Sequence, residues 1–294
     1  MKFNLKIGDT IGICSPSGPY SEKDIRPTIK YLKMLGFKTK LSKNIFSRDR
    51  YLAGIPKQRI NDIHQLFCDK SVDAIIAGRG GFGSIQLLDQ LDFALIKENS
   101  KPFFGFSDTT ALQLALYKKI RLPSITGITL TYDIKKDKVN KTTINNFEQL
   151  IFQHSFPKII LTNQSKQKNA DGILIGGCLS LITSLMGTSY FPELKDKILF
   201  IEDVNEEPYN IDRLLSQLLM AKNFSKLSAI VIGNFYKCNA EDKKHGSIKQ
   251  VINSFIDRSN KTVFTNLPYG HQPSRILLPI GLPAKIIKNE LIIL

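Results

Sequence analysis

The fold of this chain is decided by the stretch from Lys101 to Leu116, which runs KPFFGFSDTTALQLAL. Its first part is a short apolar run led by Pro102, a pattern typical of a buried strand. Its second part carries leucine and alanine at helical spacing, and Asp108 or Thr109 is in position to cap that helix. Ser107 is therefore predicted to lie where a strand turns sharply into a helix.

A serine in such a turn presents its hydroxyl at the carboxyl edge of a sheet, beside the first free N–H groups of the helix. This is the geometry of a nucleophile elbow, whose usual pattern is G-x-S-x-G. Here Thr109 occupies the last position, so the pattern by itself is a weak signal. Two interpretations of Ser107 stay open at this point: a nucleophile, or a residue that helps to cap the helix.

Strands and helices alternate around this stretch along the first half of the chain. The pattern predicts strands at 10–14, 37–41, 72–77 and 122–126, and helices at 22–35 and 56–67. Such alternation is typical of parallel β-α-β units and of a doubly wound α/β sheet.

The composition changes between about residues 133 and 169, where Lys, Asn, Gln and Thr become frequent around one predicted helix at 142–153. Polar stretches of this kind are typical of links between domains, so we expect two domains, residues 1–150 and residues 151–294. In the second, the pattern predicts a strand that begins at Asp171, strands at 197–203 and 228–233, helices at 179–186 and 211–221, and short β segments at 262–264, 284–287 and 291–294.

The composition limits the class of protein. The 294 residues are 42% hydrophobic and 23% charged, which is normal for a globular protein. No segment approaches the roughly 20 apolar residues that cross a bilayer, and the N-terminus lacks the apolar core of a signal peptide. The four cysteines are far apart and form no C-x-x-C pair, which disfavours a disulfide framework or a structural zinc site. We therefore expect a cytoplasmic protein without a membrane partner.

The net charge of +15 favours anionic substrates through long-range attraction. The lysines are nevertheless dispersed, and the densest runs, at 135–138 and 166–168, are short and lack interleaved aromatic residues. This distribution favours a solvated lysine-rich surface, and we expect no nucleic-acid partner.

A glycine-rich segment, GRGGFGS, runs from Gly78 to Ser84 directly after the third predicted strand. It lacks the Gly-Lys-Ser/Thr ending of a P-loop, and it does not follow the first strand as a dinucleotide-binding G-x-G-x-x-G does. Three interpretations stay open: a phosphate cradle, a source of backbone N–H groups for an oxyanion, and a plain tight turn.

Three residues could together form a catalytic group with a serine nucleophile, a general base and an acid: Ser107, Glu202 and His271. Of the four histidines, His271 lies in the rigid segment PYGHQP, where a general base would be firmly held. Glu202 ends an apolar strand, a poor place for a carboxylate that has no partner. Asp203 and Asp108 compete with Glu202 as the acid. The scattered histidines and the absence of an H-E-x-x-H motif predict no metal, and we expect no cofactor.

Several motifs, taken in chain order, resemble those of the LD-carboxypeptidase family of serine peptidases, also called muramoyl-tetrapeptide carboxypeptidases (family S66), to which microcin C self-immunity proteins are related. They are GRGGFG at 78–83, GFSDTT at 105–110, IGGCLS at 175–180, FIEDV at 200–204 with PYNIDR at 208–213, and GH at 270–271 with LPIG at 278–281. The resemblance covers almost the whole chain, from about residue 9 to about residue 283. Cys178 is a small departure, because asparagine is frequent at that position of the family.

The resemblance implies an N-terminal Rossmann-like parallel-sheet domain that carries the nucleophile and a C-terminal domain with a β-barrel-like core that carries the acid and the base. It implies a triad of Ser107, Glu202 and His271. The backbone N–H groups of Asp108 and of Gly81 would form the oxyanion hole. Substrate-binding candidates are Arg79, Gly80 and Arg213. For Arg213, contact with Glu202 or with an acidic substrate group and a surface ion pair are both open.

The resemblance also implies an activity: hydrolysis of the amide between an L-centre, meso-diaminopimelate or lysine, and the terminal D-alanine of cell-wall tetrapeptides in murein recycling. The expected partner is such a muropeptide, and the family suggests a homodimer. Two alternatives remain. One is a microcin-immunity-type serine amidase that cleaves peptidyl or aminoacyl nucleotide analogues. The other is a catalytically silent ligand-binding module.

Overall fold

The computed structural model describes Phe3 and residues 5–135, 138–165 and 169–294. Two predictions concern residues outside this description. The basic run at 166–168 lies outside it entirely, as does the centre of the run at 135–138, and the sequence prediction about a signal peptide involves residues 1, 2 and 4.

The elements of the N-terminal half alternate between strand and helix up to the fifth strand. They are β1 Thr10–Cys14, α1 Glu22–Met34, β2 Lys38–Leu41, α2 Pro56–Cys68, β3 Ala74–Ala77, α3 Phe93–Glu98, β4 Phe103–Gly105, α4 Thr110–Ile120, β5 Ser124–Thr126, α5 Leu130–Asp133, β6 Ile134–Lys135, β7 Lys138–Val139 and α6 Lys141–Gln153.

The C-terminal half is richer in strands. Its elements are β8 Ile159–Ile160, β9 Thr162–Asn163, β10 Ala170–Cys178, α7 Leu179–Ser184, β11 Lys197–Val204, α8 Pro208–Leu219, β12 Ala229–Tyr236, α9 Ile248–Ser259, β13 Val263–Thr265, β14 Leu278–Ile280, β15 Pro283–Ile287 and β16 Glu290–Ile293.

Contacts between Cα atoms divide the chain into two compact units. The first unit comprises Met1–Pro157 and Ile276–Ile280, and the second comprises Lys158–Arg275 and Gly281–Leu294. The sequence predicted two domains, residues 1–150 and residues 151–294. That prediction did not anticipate that Ile276–Ile280, near the C-terminus, belongs to the first unit.

The first unit is built on a six-stranded sheet with the strand order β14-β5-β4-β3-β1-β2. Strands β1 to β5 are parallel, and β14 adds an antiparallel edge beside β5. All four residues of β3 are buried, as expected for a parallel strand covered on both faces. In such a sheet, ligands bind at the carboxyl ends of the strands, where the order reverses. Here the order reverses between β1 and β3, which places the loops after these strands at that edge.

The second unit is built on an eight-stranded sheet with the order β8-β16-β15-β10-β11-β12-β13-β9. Its centre, β10 to β13, is parallel, and its flanks are antiparallel. The two edge strands, β8 and β9, are separated along the chain only by Leu161, so the sheet curls until its edges nearly meet. The result is the barrel-like core that the resemblance implied. No helix in the described ranges is both long and apolar enough to cross a bilayer.

Candidate active site

Ser107 lies where the first sheet meets its helix layer. Strand β4 ends at Gly105, a single 3₁₀ turn covers Ser107–Thr109, and α4 begins at Thr110. The φ angle of Ser107 is 64°, in the left-handed region that residues other than glycine rarely adopt. A residue held there costs on the order of 1–3 kcal/mol and persists only where its surroundings fix it. The predicted strained strand-to-helix turn is thus confirmed.

The predicted helix cap at this turn is correct in its position but not in its hydrogen bond. Thr109 occupies the N-cap position of α4, but its side chain makes no capping hydrogen bond. The Thr109 hydroxyl lies instead 3.1 Å from the carbonyl oxygen of Phe106 and 3.3 Å from Oε1 of Gln113. The Asp108 carboxylate accepts its hydrogen bonds from Ser17, Gly83 and Ser84, which lie outside the helix.

The glycine-rich segment approaches the serine closely. A Cβ atom added to Gly80 would lie 2.8 Å from Cβ and 3.1 Å from Oγ of Ser107, so only glycine fits there without a shift. Gly81 and Gly83 have φ angles of 114° and 122°, which side chains disfavour. The glycines therefore let this backbone pass close to Ser107. This favours the interpretation of the segment as a source of N–H groups for an oxyanion over that of a plain tight turn. The donor role of Gly81 and Asp108 remains a proposal.

Glu202 lies on the central parallel strand β11 of the second unit and is completely buried. The pairing of β11 with β12 is irregular here: Ile201 faces Ile232, whereas Asp203 faces Phe235. One residue of β11 therefore opposes two residues of β12, Gly233 and Asn234, which is a β-bulge. Bulges next to active sites re-aim side chains.

The loop after β13 contacts the carboxylate of Glu202. Oε2 of Glu202 accepts hydrogen bonds from the backbone N–H of His271, at 3.2 Å, and from Nδ1 of its ring, at 2.8 Å. Gly270, with a φ angle of 132°, allows this approach, because a Cβ atom there would lie 3.1 Å from Oε2. Asn234 also holds the loop, since its N–H donates to the carbonyl oxygen of Tyr269 at 2.9 Å.

The contacts distinguish the three carboxylates that competed as the acid. Asp203 is turned to the start of α7: its Oδ2 accepts from the N–H of Ser180 at 2.8 Å, and its Oδ1 from the N–H of Val204 at 2.8 Å. Burial raises the pKa of Asp203. Asp108 is bonded within the first unit. Glu202 is the carboxylate that contacts His271, and its charge can hold the Nδ1 proton so that Nε2 acts as the base.

The two arginines named as substrate-binding candidates lie in different units. Arg79 is exposed and donates from Nη1 to the carbonyl oxygen of Pro19 at 3.0 Å. Arg213 is also exposed and donates to Oδ1 of Asn210 at 3.0 Å. Glu202 makes no hydrogen bond with Arg213, because Oε1 of Glu202 has no partner in the described part of the chain and Oε2 contacts His271. An interaction of either arginine with substrate stays a prediction.

The described residues contain no group of three or more His, Cys, Asp or Glu side chains that could hold a metal ion.

Sequence reasoning missed one feature of the candidate site, the buried polar network around Asp108. Arg59 belongs to this network and is 2% exposed although it lies on an amphipathic helix, α2. An arginine on the apolar stripe of a helix was the available signal, because buried charges require partners.

Comparison with known proteins matches both halves of the chain to one family. Residues 11–127 match the N-terminal domain of LD-carboxypeptidase, and residues 171–286 match its C-terminal domain. A probable murein peptide carboxypeptidase of Bacillus subtilis (strain 168) is 34% identical over 284 residues, covering 95% of this chain and 89% of the relative.

Several solved structures share the fold. Muramoyltetrapeptide carboxypeptidase from Oxalobacter formigenes superposes with a TM-score of 0.86 at 27% identity, covering 97% of each chain. An MccF-like protein from Bacillus anthracis (strain Ames) superposes with a TM-score of 0.84 at 32% identity, covering 99% of this chain and 98% of that one. MccF is a self-immunity protein against microcin C7 in Escherichia coli. With both domains matched and the motifs in place, the chain belongs to the LD-carboxypeptidase family.

Proposed function

We propose that this chain is a serine carboxypeptidase that hydrolyses the amide between an L-centre and the terminal D-alanine of cell-wall tetrapeptides. The observation that carries the proposal is the 2.8 Å contact between Nδ1 of His271 and the buried carboxylate of Glu202. In a serine peptidase, such a pair orients the imidazole and stabilises its protonated form. The strained Ser107 supplies the matching nucleophile.

In the proposed mechanism, Ser107, His271 and Glu202 act as one triad. Oγ of Ser107 attacks the amide carbon while Nε2 of His271 takes the hydroxyl proton. The N–H groups of Gly81 and Asp108 stabilise the negative charge that forms on the carbonyl oxygen. The protonated His271 then gives its proton to the nitrogen of the departing D-alanine, which leaves an ester on Ser107. A water molecule, deprotonated by His271, cleaves that ester and restores the free hydroxyl.

The substrate assignment is supported by the relatives. The Bacillus subtilis protein is named for a murein peptide, and the Oxalobacter formigenes protein for a muramoyl tetrapeptide. Murein tetrapeptides carry several carboxylates, which the net charge of +15 would attract. Arg79, Gly80 and Arg213 are the proposed contacts for the substrate. We expect a homodimer in the cytoplasm that requires neither a metal nor another cofactor.

A second candidate function is cleavage of a peptidyl or aminoacyl nucleotide analogue, as in microcin immunity. The likeness to the MccF-like protein of Bacillus anthracis favours it, because that structure is 32% identical over nearly the whole chain. The same triad would serve both reactions, so the two functions differ in the substrate and not in the chemistry.

The test is incubation of the purified protein with L-Ala-γ-D-Glu-meso-diaminopimelate-D-Ala and detection of free D-alanine by mass spectrometry. The same peptide ending in L-alanine is the control for stereochemistry, and the Ser107→Ala variant is the control for the nucleophile. Release of D-alanine by the wild type alone supports the proposal. If a peptidyl sulfamoyl adenosine is cleaved and the tetrapeptide is not, the immunity-type function replaces it. If neither is cleaved and a fluorophosphonate fails to label Ser107, the chain is a silent binding module.

A further inference from the structure

The carboxylate of Asp108, next to the proposed nucleophile, accepts hydrogen bonds from two loops of the first unit. Asp108 is 2% exposed. Its Oδ2 accepts from the hydroxyl of Ser17 at 2.5 Å and from the N–H of Ser84 at 2.8 Å, and its Oδ1 accepts from the N–H of Gly83 at 3.2 Å. None of these bonds goes to α4, so the carboxylate does not serve as a helix cap.

Further hydrogen bonds join these loops to the strained turn and to each other. The hydroxyl of Ser84 donates to the carbonyl oxygen of Asp108 at 2.5 Å, so Asp108 and Ser84 are bonded in both directions. The N–H of Gly18 donates to the carbonyl oxygen of Gly80 at 3.0 Å. The loop after β1 and the glycine-rich segment after β3 are thus bonded to each other and to Asp108.

A buried arginine, Arg59, also bonds to both of these loops. Nη1 of Arg59 donates to the carbonyl oxygens of Pro16 and Gly83, each at 2.8 Å, and Nη2 donates to Oε1 of Gln86 at 2.9 Å. Burial lowers the pKa of Arg59, and the negative charge of Asp108 acts against that shift. Gly83 therefore has its N–H bonded to Asp108 and its carbonyl oxygen bonded to Arg59.

We infer that the side chain of Asp108 is a positioning residue for the oxyanion hole: it fixes the glycine-rich segment so that its N–H donor stays aimed at the carbonyl oxygen of the substrate. The inference rests on the proposed serine hydrolase function. A carboxylate suits the position because it only accepts hydrogen bonds, and all three of its partners donate. An amide in its place has one accepting oxygen, so its NH₂ group would face one of the donors.

The first experiment tests the anchoring in the free protein. Hydrogen–deuterium exchange of peptides that span residues 80–84 is compared between wild type and Asp108→Asn. Asp62→Asn is the matched control, because Asp62 is also buried in the first unit but binds the N–H and the side chain of Asn44 in a different loop. We expect faster exchange at 80–84 in Asp108→Asn and wild-type exchange there in Asp62→Asn.

The second experiment measures the rate at which a fluorophosphonate labels Ser107. In this reaction the serine oxygen displaces fluoride from phosphorus, and the phosphoryl oxygen occupies the oxyanion hole. We expect Asp108→Asn to lower the labelling rate about 10-fold to 100-fold, as a misplaced donor does, and Asp62→Asn to leave it within about twofold. With the tetrapeptide, kcat should fall in the same proportion while KM changes little.

Ser84→Ala supplies a second variant if Asp108→Asn does not fold. It removes the hydroxyl bond to the Asp108 carbonyl oxygen and keeps the carboxylate, so a smaller loss in the same direction is expected. Wild-type labelling in every one of these variants that folds would overturn the inference, and so would a lower rate without faster exchange at 80–84. Labelling of the wild-type Ser107 without release of D-alanine would contradict the proposed substrate and leave the role of Asp108 intact.

Discussion

The two units hold their proposed catalytic residues by different means. Ser107 lies on strained backbone, and the loops beside it are tied by the buried polar groups of Asp108 and Arg59. Glu202 lies on a buried apolar strand and holds His271 through one oxygen, while its other oxygen has no partner among the described residues. The first arrangement fixes the positions of backbone N–H groups, whereas the second fixes the orientation of a ring.

This difference separates two kinds of functional loss. Changes in the loops beside Ser107 should disturb the proposed oxyanion donors, and they should act through the backbone. Changes near Glu202 should disturb proton transfer, and they should act through the charge and the tautomer of His271. The variants below distinguish these effects.

The largest effect is expected for Ser107→Ala. Turnover should fall on the order of 10⁶-fold, because the nucleophile is absent. Thermal stability should stay near that of the wild type, because the change deletes a hydroxyl and no core packing. Ser107→Gly is the control for strain: it should be equally inactive but more stable than Ser107→Ala by about 1 kcal/mol, because glycine accepts the left-handed φ. Retained activity in either variant would assign the nucleophile to another residue.

The next effect concerns the acid of the proposed triad. Glu202→Gln keeps the shape of the side chain but removes the charge that holds the Nδ1 proton of His271, so kcat should fall on the order of 10³-fold to 10⁴-fold. Asp203→Asn is the matched control on the same strand and should cost far less turnover, since Asp203 binds Ser180 and Val204. If Asp203→Asn is the inactive enzyme and Glu202→Gln the active one, the triad assignment is wrong.

A smaller loss is expected for Gly80→Ala in the first unit. The added methyl would lie 2.8 Å from Cβ of Ser107 and 3.3 Å from the carbonyl oxygen of Phe106, so the segment must shift. Acylation should slow about 100-fold through displacement of the oxyanion donors. Gly12→Ala on β1 is the control, because its methyl would meet side chains of Leu66 and Val72 at 3.0 Å. It should reduce stability and keep the acylation rate, measured with a fluorophosphonate.

Local patterns in the sequence were enough to predict most regular elements. The bounds of β1 were predicted as the structure has them, and the start of α2 at Pro56 follows from proline at the first turn. The strained turn at Ser107 was predicted because a strand and a helix met there without room for a loop. In each case the signal lies within a few residues of the feature.

Long-range features could not be predicted in the same way. Strand β14 pairs with β5 across about 150 residues of chain, and no local pattern records that partner. The side chain of Asp108 was one candidate for the helix cap and one for the catalytic acid, but its partners come from the loops after β1 and β3. Helix α9 is a different case: its signal is local, because Ser247 and Gln250 form a capping box, and that signal was overlooked.

The smallest expected effect is the pH dependence of stability that Asp203 contributes. Burial raises its pKa in the folded protein above the unfolded value of about 3.9. The folded state therefore binds more protons than the unfolded state between these two pKa values, and stability falls as the pH rises through that window. The Asp203→Asn variant cannot titrate at this position. It should lose the acceptor for the N–H of Val204 or of Ser180 at every pH, because its amide has one accepting oxygen.

The measurement is urea unfolding of wild type and Asp203→Asn from pH 4 to pH 7. The Asp203→Asn variant should be less stable than the wild type at pH 4, and the difference in unfolding free energy should shrink as the pH rises, because only the wild type then places a charge in the buried site. Asp212→Asn is the control, since Asp212 is half exposed and pairs with Arg258 at 2.7 Å. If the difference in unfolding free energy between wild type and Asp203→Asn widens with pH, the pKa of Asp203 is lowered in the folded protein. The hydrogen bonds from Ser180 and Val204 would then outweigh the effect of burial on that pKa.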